Sequence, residues 1–219
     1  MLLTLTLIGF LTLAAGLAVR WVLHRVDALG RVAPFPKISV GLSLALALSC
    51  AVPLAVQGWV ESRLERAAVT VAGGPVTVHC QGLGQAFLDL GPELGFVRWG
   101  TDGVPERSTL IKRSPCAHLR AWLWSATSHP TLDQVIAVHV LTHEAMHLAG
   151  HYGEAEAECL AMQHDSEMAQ LLGATPENAD ALARSFWVNV YPRMAGDYVS
   201  AGCTADGPLD ESPGDQHWP

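Results

Sequence analysis

Two long uncharged stretches near the N terminus constrain the fold of this 219-residue chain more than any other feature. Residues 1–19 contain no charged side chain, and residues 38–60 form a second uncharged run. A helix needs about 20 mostly apolar residues to cross the hydrocarbon core of a bilayer. The sequence therefore predicts a two-helix transmembrane hairpin over residues 1–60, with helices at about 2–23 and 38–60 and a loop at 24–37.

The charges between the two runs predict the orientation of the hairpin. Four basic residues and one acid, Asp27, lie there, the basic ones being Arg20, Arg25, Arg31 and Lys37. Cytoplasmic loops collect Lys and Arg, so we expect a two-pass protein of the cell membrane with a cytoplasmic loop and an extracytoplasmic C-terminal domain. A cleaved signal peptide is the alternative for the first run, but signal peptides begin with a basic segment and residues 1–4 contain no basic side chain.

The remainder of the chain has the composition of one acidic domain. From Trp59 onward it contains 20 acidic and 9 basic residues, a balance that excludes a nucleic-acid-binding surface. Strand patterns at 76–80 and 108–112 precede helix signals that begin at Thr131, Gly153 and Thr175. We therefore predict an α+β fold, with a mostly helical extracytoplasmic domain and a small β-sheet over residues 61–200. An irregular tail rich in Gly, Pro and Asp follows at 201–219.

The cysteines indicate an oxidising compartment. Four of the five lie in the part of the chain that follows the apolar runs, at Cys80, Cys116, Cys159 and Cys203, while Cys50 lies in the second apolar run as a packing residue. An even number in a domain placed outside the cell predicts two disulfides and argues against an inverted hairpin with a cytoplasmic domain. Three pairings are open, of which we prefer Cys80–Cys116 with Cys159–Cys203, and buried free thiols are the alternative.

The segment His143-Glu144-Ala145-Met146-His147 carries the chemistry. It lies in a helix that is predicted to begin with a capping box at Thr131 and Gln134 and to end at Gly150. Residues four apart share a helix face, so His143 and His147 are predicted to bind one Zn2+ ion, while Glu144 is placed to activate water. Alternatively, the histidines simply extend a core-facing stripe with His139, which we interpret as a packing residue or a residue behind the ligands.

The next helix offers a third metal ligand. Glu154 and Glu158 are four residues apart and share a face, and we predict that Glu154 binds the metal while Glu158 orients one of the ligating histidines. His151 is the main competitor for the role of third ligand. Glu156 points elsewhere and is interpreted as a charge that complements the helix dipole.

With these residues the pattern resembles the gluzincins, in which HExxH is followed by a helix of the type ExxxD. The chain departs from that pattern in its tight linker and in Glu158, which replaces the usual Asp; Gly153 stands where a metzincin would have its third ligand. Residues 143–163 also resemble uncharacterised bacterial membrane-anchored zincin-like proteins. The resemblance implies a zinc-dependent metallopeptidase with a zincin-like domain, which hydrolyses the bonds of a peptide or protein substrate through a zinc-bound water activated by Glu144.

Several features of such a peptidase stay open at this stage. A substrate would add to a sheet edge, for which residues 108–112 are the candidate, and Tyr191, Tyr198 and His164 are candidate oxyanion donors. An intramembrane protease is disfavoured because the apolar run 135–141 is too short to span a bilayer. The alternative from another class is a non-catalytic, metal-stabilised binding or scaffold module at the cell surface, its site covered by a tail carboxylate such as Asp206, Asp210 or Glu211.

Overall fold

A computed structural model describes residues 2–27, 29–82, 91, 93–125, 127–214 and 218. The chain divides into two compact units, Met1–Trp59 and Val60–Pro219. The first unit contains helix α1 (Leu2–His24) and most of helix α2 (Lys37–Val71), which continues into the second unit.

Both N-terminal helices are long and apolar enough to cross a membrane, as the sequence predicts. Their apolar side chains are largely exposed, as in Leu2 and Ile38 at 80% and 87%, which suits a lipid environment better than water. Helix α2 passes through Pro53 without ending and continues to Val71, eleven residues beyond residue 60, the predicted end of the membrane-spanning segment. In the connecting loop, Asp27 and Arg31 form an ion pair at 2.8 Å.

A three-stranded sheet opens the second unit. Strands β1 (Thr77–Cys80), β2 (Gly95–Trp99) and β3 (Pro105–Ile111) lie in the order β1-β3-β2. Strand β1 is parallel to β3, whereas β2 is antiparallel to it. The predicted sheet edge at residues 108–112 is therefore wrong, because β3 has a partner on each side. Among the described residues, β2 forms one edge of the sheet.

Among the described residues of this unit, four helices follow the sheet: α3 (Arg113–Trp124), α4 (Leu132–Ala149), α5 (Glu154–Leu171) and α6 (Pro176–Asn189). Two short 3-10 turns follow at Tyr191–Arg193 and Gly196–Tyr198. The predicted capping box at the start of α4 is present. The backbone amide of Gln134 donates to the Thr131 hydroxyl, and the backbone amide of Thr131 donates to the side-chain oxygen of Gln134. The α+β class with a small sheet is thus confirmed.

Helix α4 is the centre of this unit. It packs against α3, α5 and α6 and against strands β2 and β3, and 14 of its 18 residues are buried. Its buried residues include four that are ionisable: His139, His143, Glu144 and His147. Buried polar groups of this kind are tolerated only when they are paired or bind an ion. The packing of α4 therefore forces these side chains to find partners on α5 and on the sheet.

Two disulfides are present, with the pairing that the sequence analysis prefers. Cys80–Cys116 joins the end of β1 to α3 with a Cα–Cα distance of 5.9 Å, and Cys159–Cys203 joins α5 to the tail with a distance of 5.5 Å. The tail is irregular as predicted over residues 201–214, where the chain forms only turns and bends. Residues 215–217 and 219 of the predicted tail lie outside the described part.

Candidate metal centre

Three side chains converge where α4 ends and α5 begins. Glu154 Oε2 lies 3.1 Å from His143 Nε2 and 3.4 Å from His147 Nε2. The two imidazole rings are edge to face, with centroids 4.7 Å apart. One ligand atom from each residue lies within 4.8 Å of the other two, which is a grouping able to hold a metal ion.

A tight connection between the helices produces this convergence. Gly150 ends α4 with φ 113°, a left-handed conformation that side-chain-bearing residues rarely adopt. The His151 amide then donates to the Met146 carbonyl at 3.1 Å, and Gly153 caps α5. Because the chain reverses within these few residues, Glu154 in the first turn of α5 is directed back at the last turn of α4.

The spacing of these atoms fits a tetrahedral metal. For ligand bonds of about 2.0–2.1 Å, two ligand atoms of a tetrahedral zinc site lie about 3.3 Å apart. The two histidine–carboxylate separations, 3.1 and 3.4 Å, bracket this value. Two imidazoles with one carboxylate are also a donor set that zinc uses in open, three-ligand sites. The residues present therefore fit a divalent metal ion of this kind.

The second ring nitrogen of each histidine, Nδ1, contacts a partner other than Glu154. His147 Nδ1 donates to the His151 carbonyl at 2.7 Å, and His143 Nδ1 lies 2.9 Å from Glu158 Oε2. Such contacts fix the tautomer and the ring orientation of metal-binding histidines. Each histidine can thereby present its Nε2 lone pair to the centre. The competitor His151 is directed away, because its imidazole pairs with Glu156 at 2.9 Å.

The electrostatics of the three side chains favour a charged carboxylate and at least one neutral imidazole. The hydrogen bond from His143 lowers the pKa of Glu154, and burial lowers the pKa of His147. Burial alone would also lower the pKa of His143, but the contacts with Glu154 and Glu158 outweigh it and raise the pKa to about 9. A metal ion bound at this group would compete with that proton for the His143 imidazole.

Glu144 lies beside this group, against the sheet. It is 4% exposed, and its Oε2 lies 3.3 Å from the Thr109 hydroxyl of β3. On β2, a methyl group added to Gly95 would come within 2.7 Å of Glu144 Oε1. Burial raises the pKa of the Glu144 carboxyl to about 7, with His143 and Thr109 partly opposing the rise. The carboxyl can therefore exchange a proton near neutral pH.

A cleft of about 710 Å³ opens over these side chains. Its floor is α4 with His143, Glu144 and His147, and one wall is the edge strand β2. Apolar and aromatic residues from α6 and the segment after it also line the cleft, namely Phe186, Val190, Met194 and Tyr198. The group can thus be reached by a ligand that lies along β2.

The remaining predicted residues differ in whether they line the cleft. Of the three candidate oxyanion donors, Tyr198 lines the cleft, with its ring centroid 5.9 Å from that of His143. Tyr191 is buried and its hydroxyl accepts from the Ser200 amide, while His164 pairs with Glu167 and Glu211. The three tail carboxylates proposed as a cover for the site, Asp206, Asp210 and Glu211, are not among the residues that line the cleft.

Three residues of the site, Gly95, Thr109 and Asp165, were not identified as site residues from the sequence. Gly95 and Thr109 belong to strands far from α4 along the chain, and no local pattern links either of them to Glu144. Asp165 hydrogen bonds to His139 at 2.8 Å. Its spacing of seven residues from Glu158, two helical turns, places both acids on one face of α5 and is a signal that the sequence does contain.

These features define an α+β domain with a His–His–Glu group able to hold a metal ion and a buried carboxyl beside it. Comparison of the chain with models of known protein families, with curated proteins and with solved structures finds no match. The functional argument therefore rests on the geometry of the site.

Proposed function

We propose that this chain is a membrane-anchored, zinc-dependent metallopeptidase that hydrolyses peptide bonds in an extracytoplasmic protein or peptide. One observation carries the proposal: a buried carboxyl, Glu144, lies beside the convergent His143, His147 and Glu154 on the floor of an open cleft. A metal that only tied the helices together would require neither the cleft nor an additional buried acid.

The three ligands would hold zinc by Nε2 of each histidine and a carboxylate oxygen of Glu154. Zinc in such a site supplies a Lewis acid that polarises a substrate carbonyl and lowers the pKa of water. The chain's own contribution is orientation, because His151 and Glu158 hold the rear nitrogens of the two imidazoles.

Glu144 acts as the general base and then as the general acid. It removes a proton from the attacking water and later delivers that proton to the leaving amine. A carboxyl performs both steps best when its pKa lies near the working pH, and burial raises the pKa of Glu144 to about 7. Thr109 and Gly95 fix the side chain from the sheet side, so that it approaches the metal group in one orientation.

The substrate binds as an extra strand along β2. Peptides add to a sheet edge through main-chain hydrogen bonds, with side chains alternating between pockets. Strand β2 lines the cleft with Gly95, Phe96, Val97 and Trp99, and so takes the place of the edge that the sequence analysis assigned to residues 108–112. Tyr198, which lines the cleft with its ring 5.9 Å from that of His143, is the proposed donor to the developing oxyanion.

The domain faces an oxidising compartment in this proposal. Disulfides form and persist in oxidising compartments, and this domain contains two. The basic residues between α1 and α2 favour a cytoplasmic loop. With two helices apolar enough to cross the bilayer, both features favour an ectodomain anchored by a hairpin.

The decisive experiment compares Glu144→Gln with the wild type, each as the full chain purified in detergent and loaded with zinc. We expect the rate of cleavage of a denatured protein substrate to fall by roughly 10²–10⁴-fold, the usual contribution of a general base. Zinc content, measured by mass spectrometry, should not change, because Glu144 is not a ligand.

Glu156→Gln is the matched control, since this carboxylate is half-exposed and pairs with His151 outside the group. It should retain nearly the wild-type rate. Equal rates for the wild type and Glu144→Gln would instead support the non-catalytic, metal-stabilised scaffold, provided that both proteins bind zinc and that zinc raises their thermal midpoint of unfolding.

A further inference from the structure

We infer that His139 and Asp165 position the metal-ligating His143 through Glu158, and so set the metal affinity of the site without touching the metal. This inference rests on the proposed metal site. It assigns a role to two buried residues that the proposed hydrolysis does not itself use.

The four side chains form a continuous line of polar contacts. Asp165 Oδ2 lies 2.8 Å from His139 Nδ1, and His139 Nε2 lies 3.0 Å from Glu158 Oε1. The other oxygen of Glu158 lies 2.9 Å from His143 Nδ1, and His143 Nε2 faces Glu154. Glu158 is therefore shared between two histidines, one on each of its oxygens.

This line is enclosed in the protein. Asp165, His139 and Glu158 are 0%, 3% and 1% exposed, so water cannot replace a missing partner. The face of the His139 ring stacks on Phe186, with centroids 3.5 Å apart, which fixes the plane of the ring. A carboxylate confined in this way takes its position from the groups that pair with it.

Both nitrogens of His139 face carboxylates, and a neutral imidazole could donate to only one of them. Burial alone would lower the pKa of His139, but the charges of Asp165 and Glu158 outweigh it and raise the pKa to about 10. The imidazolium form pairs with both acids, through a hydrogen bond to Asp165 and a 3.0 Å ion pair with Glu158. Asp165 thus holds the ring, and the ring holds Glu158 against His143.

A line of this kind predicts a difference between two amide replacements of His139. The side-chain NH₂ of Gln reaches roughly the place of Nε2, whereas that of Asn reaches only the place of Nδ1. His139→Gln therefore keeps a donor for Glu158, and His139→Asn keeps a donor for Asp165 only. If the contact with Glu158 is what matters, the two variants will differ in metal affinity although both disturb the core.

The test measures the zinc dissociation constant by chelator competition for the full chain in detergent, together with the visible spectrum of the cobalt-substituted protein. We expect His139→Asn to weaken zinc binding about tenfold or more, the scale of effects from groups behind a ligand, and His139→Gln to stay within about threefold of the wild type. The cobalt spectrum should change in His139→Asn, because His143 is turned. Asp165→Asn should weaken zinc binding by an intermediate factor.

Leu182→Ala in α6 is the control for loss of stability alone, because this buried leucine makes no polar contact. It should lower the thermal midpoint without changing zinc affinity. The inference is overturned if the Asn and Gln variants keep the wild-type dissociation constant, or weaken it equally, while only their thermal midpoints fall.

Two further outcomes separate this inference from the proposed function. His139, His143 and Glu158 also form a group close enough to hold an ion. Loss of zinc in every His139 variant but not in Glu154→Ala would place the metal in that inner group and refute both the positioning role and the proposed site. Absence of zinc binding by the wild type would refute the proposed function, and this inference with it.

Discussion

At the residue scale, Gly95 determines how closely the sheet can approach Glu144. A Cβ at this position would lie 2.7 Å from Glu144 Oε1 and 2.9 Å from its Cγ, closer than real Cβ contacts come. Gly95→Ala should push the carboxyl away from the cleft floor. A displacement of about 1 Å at a reacting group costs on the order of 10²-fold in rate, and we expect kcat/KM to fall by about that factor.

Zinc content should be unchanged in Gly95→Ala, because the methyl group does not reach the three ligands. Gly58→Ala is a suitable control, since a Cβ there has nothing within 4 Å and the position is helical. Full activity in Gly95→Ala would mean that Glu144 is not held by the sheet in the active protein.

Individual residues differed in how well the sequence revealed them. The spacing of His143, His147 and Glu154 within twelve residues determines which helix faces they occupy, so their convergence could be predicted. Thr109 and Gly95 contact Glu144 only because strands that are distant in sequence pack on α4. Contacts of that kind leave no local periodicity, and a single sequence does not contain them.

At the element scale, the Cys159–Cys203 disulfide ties the segment after Tyr198 to α5, next to Glu158. Removing both cysteines, in Cys159→Ser with Cys203→Ser, frees the wall that carries Tyr198. We expect kcat/KM to fall by about tenfold or more, as for a misplaced electrostatic donor, with zinc affinity nearly unchanged. The thermal midpoint should also fall, because a native disulfide typically stabilises by about 2–4 kcal/mol.

The other disulfide provides the comparison. Cys80–Cys116 joins β1 to α3, neither of which lines the cleft. Replacing that pair by serines should lower the thermal midpoint by a similar amount but leave kcat/KM of the folded protein unchanged. An equal loss of activity in both double variants would show that neither disulfide acts specifically on the cleft.

Helices and strands were not equally predictable. Helices α4 and α6 could be located because Thr131 and Thr175 cap them and Gly150 ends α4. Strand β2 was missed, since Gly95-Phe-Val-Arg-Trp99 lacks a clear alternation and takes its register from β3. The assignment of the sheet edge to residues 108–112 was wrong for the same reason: which strand forms the edge is decided by pairing, not by composition.

At the scale of the whole molecule, the basic loop between α1 and α2 is expected to control which side the domain faces. A C-terminal reporter enzyme that folds only in an oxidising compartment should therefore be active when fused to the chain. Replacing Arg25, Arg31 and Lys37 with Gln should reduce that activity, because the positive-inside bias disappears. The control replaces Arg25 and Arg31 with Lys and Lys37 with Arg, which keeps the positive charges, and should retain the reporter activity. A fusion that accumulates in the membrane with an inactive reporter would contradict the proposed orientation.

All three proposed ligands fall between His143 and Glu154, on two helices joined by the short turn at Gly150. Loops this short close early, whereas the pairing of β2 with β3 and its docking on α4 require distant parts of the chain to meet. The newly made protein should therefore be able to bind the proposed ion while β2, the strand that confines Glu144, has not yet docked on α4. The proposed site would then mature in two steps. The α4–α5 pair binds the ion first, and the proposed hydrolysis becomes possible only when the sheet has packed against Glu144. A cell that makes the proposed peptidase would in that way be protected from hydrolysis until the sheet has docked.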